Sequence, residues 1–166
     1  MKQKSLEDLF HEALKDIYYA ERKIVRALPK MMRGAQSEEL KGAFEKHKAE
    51  TEEHVERLQQ VFEILGKRAQ GKTCPAIDGI IEEGEEVLDS FKGSPAIDAG
   101  LIAAAQAVEH YEIARYGTLR RWAEVIGLKD AVPLLERTLA EESATDESLS
   151  RLAESSANQQ AMRAAE

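Results

Sequence analysis

Apolar residues recur every three or four positions through most of this chain, the spacing that lines one face of an α-helix. From Ser5 the series runs Leu6, Leu9/Phe10, Ala13/Leu14, Ile17, Ala20, Ile24 and Leu28. Ser5 with Asp8 three places on makes a near-capping box, so a first helix is expected from Ser5 to about Arg33. Gly34 stops it, and Pro29 bends or frays its last turn. Ser37 caps a second helix, with Glu38 and Glu39 in the first turn, where the helix dipole favours acids. Its seam reads Leu40, Phe44, His47, Thr51, His54, Leu58, Val61, Leu65, and Gly66 ends it.

The texture then changes. A basic loop, Lys67–Lys72, leads to Cys74-Pro75 and a short helix from Ala76 to about Ser90. Ser94-Pro95 signals the start of a long helix running to about Ile126, broken by Gly127. Asp130 is the expected cap of a last helix to about Ser155, and the tail from about residue 156 is expected to fray. No segment alternates as a strand does. Short connections force antiparallel neighbours, so the pattern predicts a single all-α domain over residues 1–166. It is made of two antiparallel helical hairpins, joined by a long crossover carrying a short fifth helix. One long crossover among four long helices is the ferritin-like variant of the four-helix bundle.

Composition narrows the setting. The chain has 166 residues with a net charge of −8, which argues against nucleic acid or an anionic membrane as partner. The single cysteine, Cys74, allows no internal disulfide and no cysteine-based metal cluster, pointing to a reducing compartment. The opening MKQKSLEDLF lacks the apolar stretch of a signal peptide. The most apolar run, Leu101–Ala105, falls far short of the roughly 20 residues of a membrane span. A cytoplasmic protein is expected.

Candidate chemistry lies in the acids that interrupt the apolar seams. Glu21 falls between Ile17 and Ile24, and Glu50 borders the second seam one turn before His54. Glu112 sits within the series Leu101, Ala105, Val108, Leu119, with Glu109 one turn earlier. Glu142 and Asp146 fall between Leu139 and Leu149. Counted from the turns, Glu21 lies 13 residues before Gly34 and Glu50 13 after Ser37, so each hairpin brings carboxylates to mid-height. Converging buried carboxylates must be protonated, paired with cations such as Arg22 or Arg115, or bridged by metal. Hard or borderline divalent ions such as iron and manganese suit oxygen-rich sites with some imidazole. Taken alone, each acid is better explained as solvated or salt-bridged, and His54 as a satisfied interior histidine. His47, nearly two turns nearer the first connection, reads as structural. The tyrosines near these acids read as packing residues with bonded hydroxyls.

The segments HKAETEEHVERL (His47–Leu58), LIAAAQAVEHYEIARYGTL (Leu101–Leu119) and LAEESATDESLSRL (Leu139–Leu152) resemble the YciF-like family of bacterial ferritin-like, stress-associated proteins. So does LEDLFHEALKDIYYAE (Leu6–Glu21). The resemblance implies a ferritin-like bundle, found in dimers, with a dinuclear metal centre. The implied ligands are Glu21, Glu50, Glu109, Glu112 and Glu142, with His54 and Asp146 as further members. The sequence departs from the Glu-x-x-His pattern of better-known relatives: Glu50-x-x-Glu53 precedes His54, and Glu142-x-x-Thr145 precedes Asp146. The expected function is a metal-binding protein with two iron or manganese ions per chain, reacting with dioxygen or peroxide. The alternative is a dimeric helical structural or interaction protein with a vestigial site.

Overall fold

The computed structural model describes residues 3–163, and no strand occurs among them. Helix α1 spans Leu6–Gly34, α2 Glu38–Ile64, α3 Pro75–Ser90, α4 Ile97–Val125 and α5 Val132–Leu152. The expected capping box closes α1: Ser5 Oγ accepts from the Asp8 N–H at 3.2 Å, and Asp8 accepts from the Ser5 N–H at 2.7 Å. The helix runs through Pro29 to Gly34 without fraying. Ser37 Oγ caps α2 by accepting from the Leu40 N–H. Gly66 and Gly127 take φ of +71° and +80°, where L side chains are strained. They let the N–H groups of Lys67 and Leu128 reach back to the Phe62 and Ala123 carbonyls and close α2 and α4.

Three boundaries differ from the expectation. Helix α3 begins at Pro75 because Cys74 acts as its cap, with Sγ accepting from the Ile77 N–H at 3.4 Å. Residues 95–96 form a turn, so α4 starts at Ile97. Asp130 does not cap α5; Ala131 occupies that place, held by its N–H to the Leu128 carbonyl and by complete burial. Beyond α5 the chain stays helical, through a π-helical turn, Ala153–Ala157, into α6, Asn158–Met162. The fraying expected from about residue 156 is not seen as far as Met162, since Ala157 is buried in the core. Residues 164–166 lie outside the described residues.

Helix α1 packs on α2 and α4, and α5 packs on the same two, so four long helices close a ring. Gly34 faces Leu101 while Glu21 meets Tyr116, so α1 and α4 are antiparallel. His54 and Arg57 reach Glu141 and Thr138, which makes α2 and α5 antiparallel as well. The α1–α2 turn is therefore at the opposite end of the molecule from the α4–α5 turn. Asp98 fixes this arrangement: nearly fully buried at the start of α4, it accepts from the backbone N–H groups of Gln36 and Ser37 at 2.7 and 2.9 Å. The crossover is fastened too. On α3, Asp78 accepts from the Tyr19 hydroxyl at 2.8 Å and pairs with Lys23 at 3.2 Å, and Glu85 pairs with Lys30 at 3.1 Å. The core combines Phe10, Leu14, Ile17, Phe44, Leu58 and Leu101, each at most 2% exposed. Each such side chain removed from water contributes about 1.5–3 kcal/mol.

Candidate metal centre

Six of the buried polar residues meet at mid-height: Glu21 from α1, His47 and His54 from α2, Glu109 and Glu112 from α4, and Glu142 from α5. Helical periodicity delivers each of them, because every one occupies a position where its seam would otherwise place a Leu or Val. They form two overlapping groups, His47/Glu109/Glu112/Glu142 and Glu21/His54/Glu142, each with one donor atom per residue within 4.8 Å of the others. Glu142 belongs to both.

These donors are close together without bonding one another. His54 Nδ1 lies 2.8 Å from Glu142 Oε1 and 3.3 Å from Glu21 Oε1, and His47 Nε2 lies 2.9 Å from Glu109 Oε1. None of these contacts has the direction of a hydrogen bond. Among the described residues, every buried side-chain nitrogen or oxygen lacking a hydrogen-bond partner belongs to these six residues. Folded proteins satisfy the large majority of such atoms, so ten of them converging in one place require a cation or several protons.

Without a cation the cluster is charged against itself. Burial, with Glu142 and Glu21 alongside, drives Glu112 well above the ordinary carboxyl range, and burial with Glu142 does the same to Glu109. Burial opposes a charge on His54, yet Glu142 and Glu21 outweigh it and raise the imidazole to about 10. Burial likewise opposes ionisation of Glu142, while Glu109 and the two imidazoles hold it down at about 2. Burial lowers His47. Protons thus take the place of positive charge in the metal-free chain.

The donor set fits divalent metal. Four carboxylates, when all are ionised, carry −4 in total, a charge that divalent ions would offset, and each group offers the oxygen and imidazole donors such an ion takes. A supporting shell orients the donors. His54 Nε2 lies 2.9 Å from Glu141 Oε2, so Nε2–H donates outward and leaves Nδ1 facing the cluster. Arg57 donates to both oxygens of Glu141, at 2.6 and 3.0 Å, and to Thr138 Oγ1 at 3.1 Å. The Tyr116 hydroxyl, fully buried, donates to Glu21 Oε1 at 2.5 Å. The other tyrosines also have bonded hydroxyls, Tyr18 with Gln59, Tyr19 with Asp78 and Tyr111 with Asp16.

Five of the seven residues singled out from the sequence come together: Glu21, His54, Glu109, Glu112 and Glu142. Glu50 stands aside, partly exposed, with Oε2 accepting from Thr145 and Oε1 3.6 Å from Lys46. Asp146 faces the α4 surface, 3.2 Å from both His110 and Gln106. His47, read from the sequence as structural, takes a place in the larger group. Its signal was the seven-residue interval to His54 on one seam, which puts both imidazoles on the same face. Arg57 and Glu141 carried no comparable signal, because an Arg and a Glu at seam edges are ordinary solvated residues.

The fold and cluster define a class: an all-α protein whose core gathers carboxylates and imidazoles from four helices. The chain belongs to the family described as "Domain of unknown function (DUF892)", whose profile matches residues 5–162. It is similar to Protein YciF of Escherichia coli (strain K12), 45% identical over 162 residues, covering 97% of this chain and 98% of that protein. Among solved structures it is similar to the E. coli stress protein YciF, with 46% identity and a TM-score of 0.87 over 91% of this chain and 96% of that one. It also resembles YcfI from Rhodopseudomonas palustris, proposed to be a structural protein: 47% identity and a TM-score of 0.85, over 89% and 94% of the two chains. No helix among the described residues is long and apolar enough to cross a membrane.

Proposed function

We propose that the chain is a ferritin-like four-helix bundle that binds two divalent ions, iron or manganese, and serves an oxidative-stress response as a cytoplasmic homodimer. The observation that carries this reading is the concentration of unpartnered buried donors on six residues from four helices. His47, Glu109 and Glu112 would hold one ion, Glu21 and His54 the other, with Glu142 shared. Bound there, the metals would supply the electrons and Lewis acidity for reaction with dioxygen or peroxide. The protein's part is to hold the donors rigid through Glu141, Arg57 and Tyr116, and to exclude bulk water with Ile24, Leu28 and Ala105. The stress-protein description of the E. coli relative agrees with that role.

The test is metal content per chain, by inductively coupled plasma mass spectrometry, after anaerobic loading with ferrous or manganous ion. Close to two per chain supports the reading, and none overturns it. A second reading, a dimeric helical structural module, draws on the role proposed for YcfI and on the ability of protons to neutralise the cluster. It requires that a chelator leave the melting temperature of purified protein unchanged.

A further inference from the structure

Helices α1, α3 and α4 enclose a cavity of about 20 Å³ that ends on the cluster. Its walls are aliphatic, with Ile24, Leu28 and Ala105 among them, and its polar boundary is formed by His47 and Glu109. Both of these residues are more than nine-tenths buried, and both keep donor atoms without partners. A second space, also about 20 Å³, lies outward of the first, and Ile80, Gly84, Leu88 and Ala104 line it. Its rim carries Lys30 and Glu85, which are half exposed. The two spaces share Ala27, Met31, Ile81 and Val108 in their walls, so they adjoin one another between the surface and the cluster. Met31, unbranched and polarisable, is the kind of side chain that moves aside at small cost.

Each space has room for one molecule of about the size of water, and away from His47 and Glu109 the walls are apolar, a lining that does not hold water. Ions and hydrogen-bonding molecules lose their hydration along such walls and find no partners. Hydrogen peroxide, with two hydroxyls, meets the same obstacle. Dioxygen is small, neutral and apolar, and does not. We propose that this passage beneath α3 admits dioxygen to the His47–Glu109 side of the cluster, which makes dioxygen, and not peroxide, the small-molecule substrate. The consequence for chemistry rests on the metal reading above; the passage itself belongs to the metal-free chain.

The experiment uses metal-free protein with methyl-labelled Ala, Ile, Leu and Val, under a few bar of dioxygen. Paramagnetic relaxation of each methyl is read by nuclear magnetic resonance. The methyls of Ala105, Val108 and Ile81 should relax several-fold faster than those of Leu14 and Leu149, which are buried elsewhere in the core. Ala104→Leu, at the partly exposed mouth, should remove most of that excess while leaving the rest of the methyl spectrum in place; Ala27→Leu serves if Ala104→Leu does not fold. Equal relaxation at all buried methyls, or an excess that neither substitution reduces, overturns the passage. A chain that shows the relaxation excess but takes up no metal retains the passage and loses the metal centre. A chain that takes up two ions without the excess does the reverse.

Discussion

Glu112→Gln separates the electrostatics of the metal-free chain from its affinity for metal. Glu112 is fully buried with both oxygens unpartnered, and its carboxyl sits well above the ordinary value of 4.5 because of burial, Glu142 and Glu21. Above pH 4.5 the metal-free fold therefore holds a proton there more tightly than the unfolded chain does. For a carboxyl raised in the fold, this cost is absent below pH 4.5 and grows as pH rises, until the folded group ionises. Each pH unit costs 1.36 kcal/mol, so the three units from 4.5 to 7.5 set an upper limit of about 4 kcal/mol. Glutamine has the same shape, takes up no proton, and can donate its amide to Glu21 or Glu142. Urea unfolding of chelator-treated protein, followed by circular dichroism from pH 4.5 to 7.5, should show the variant gaining stability as pH rises, up to about 4 kcal/mol at the upper end and close to nothing at the lower. Calorimetric titration should show the same variant binding manganese at least ~10-fold more weakly. A variant less stable than wild type at pH 7.5, or a gain that ignores pH, would refute the reasoning.

Three further outcomes bear on the geometry. Glu142→Ala should abolish metal loading at both groups, while Glu50→Ala and Asp146→Ala leave metal per chain unchanged by mass spectrometry; loss of metal in Glu50→Ala would move the site toward α2. Glu141→Ala should weaken metal binding by about 10- to 100-fold in a competition titration, by releasing the His54 ring from its Nε2 partner and Arg57 from its carboxylate; unchanged affinity would leave that shell a purely structural role. Cys74 is buried, and burial raises its thiol, so at pH 8 a disulfide reagent should modify it at least ~10-fold more slowly than a free thiol; rapid modification would mean that the start of α3 opens readily.

The helices were largely legible because their signals are local. Ser5 with Asp8, Ser37, Gly66 and Gly127 each act within a turn of the residues they cap or stop, and each does so here. Asp130 failed because its neighbour Ala131 is buried, a tertiary effect that local sequence does not carry. The cluster was half legible. Seam position identified Glu21, Glu112 and Glu142, but levels counted from each hairpin's own turn do not say how one hairpin is placed against the other. With α1 and α4 antiparallel, the α4 residues farther from Gly127 lie nearer the Ser37 end, which brings Glu109 level with His47. Asp146 lies level with Gln106 and His110 but is turned to the α4 surface. Helix rotation decided Glu50, which points past the seam to Thr145.

The way α3 is fastened governs how two copies can combine. Exchange of hairpins between chains needs a crossover that can swing free, and this one is tied to α1 by Tyr19, Lys23 and Lys30 and buries Ile77 and Leu88. Copies that associate with this crossover in place would do so as finished molecules. Each cluster then draws His54 and Glu142, from opposite sides of the crossover, out of one polypeptide. Dilution that parts the copies leaves every cluster whole, so metal occupancy should track the number of chains and be indifferent to their assembly.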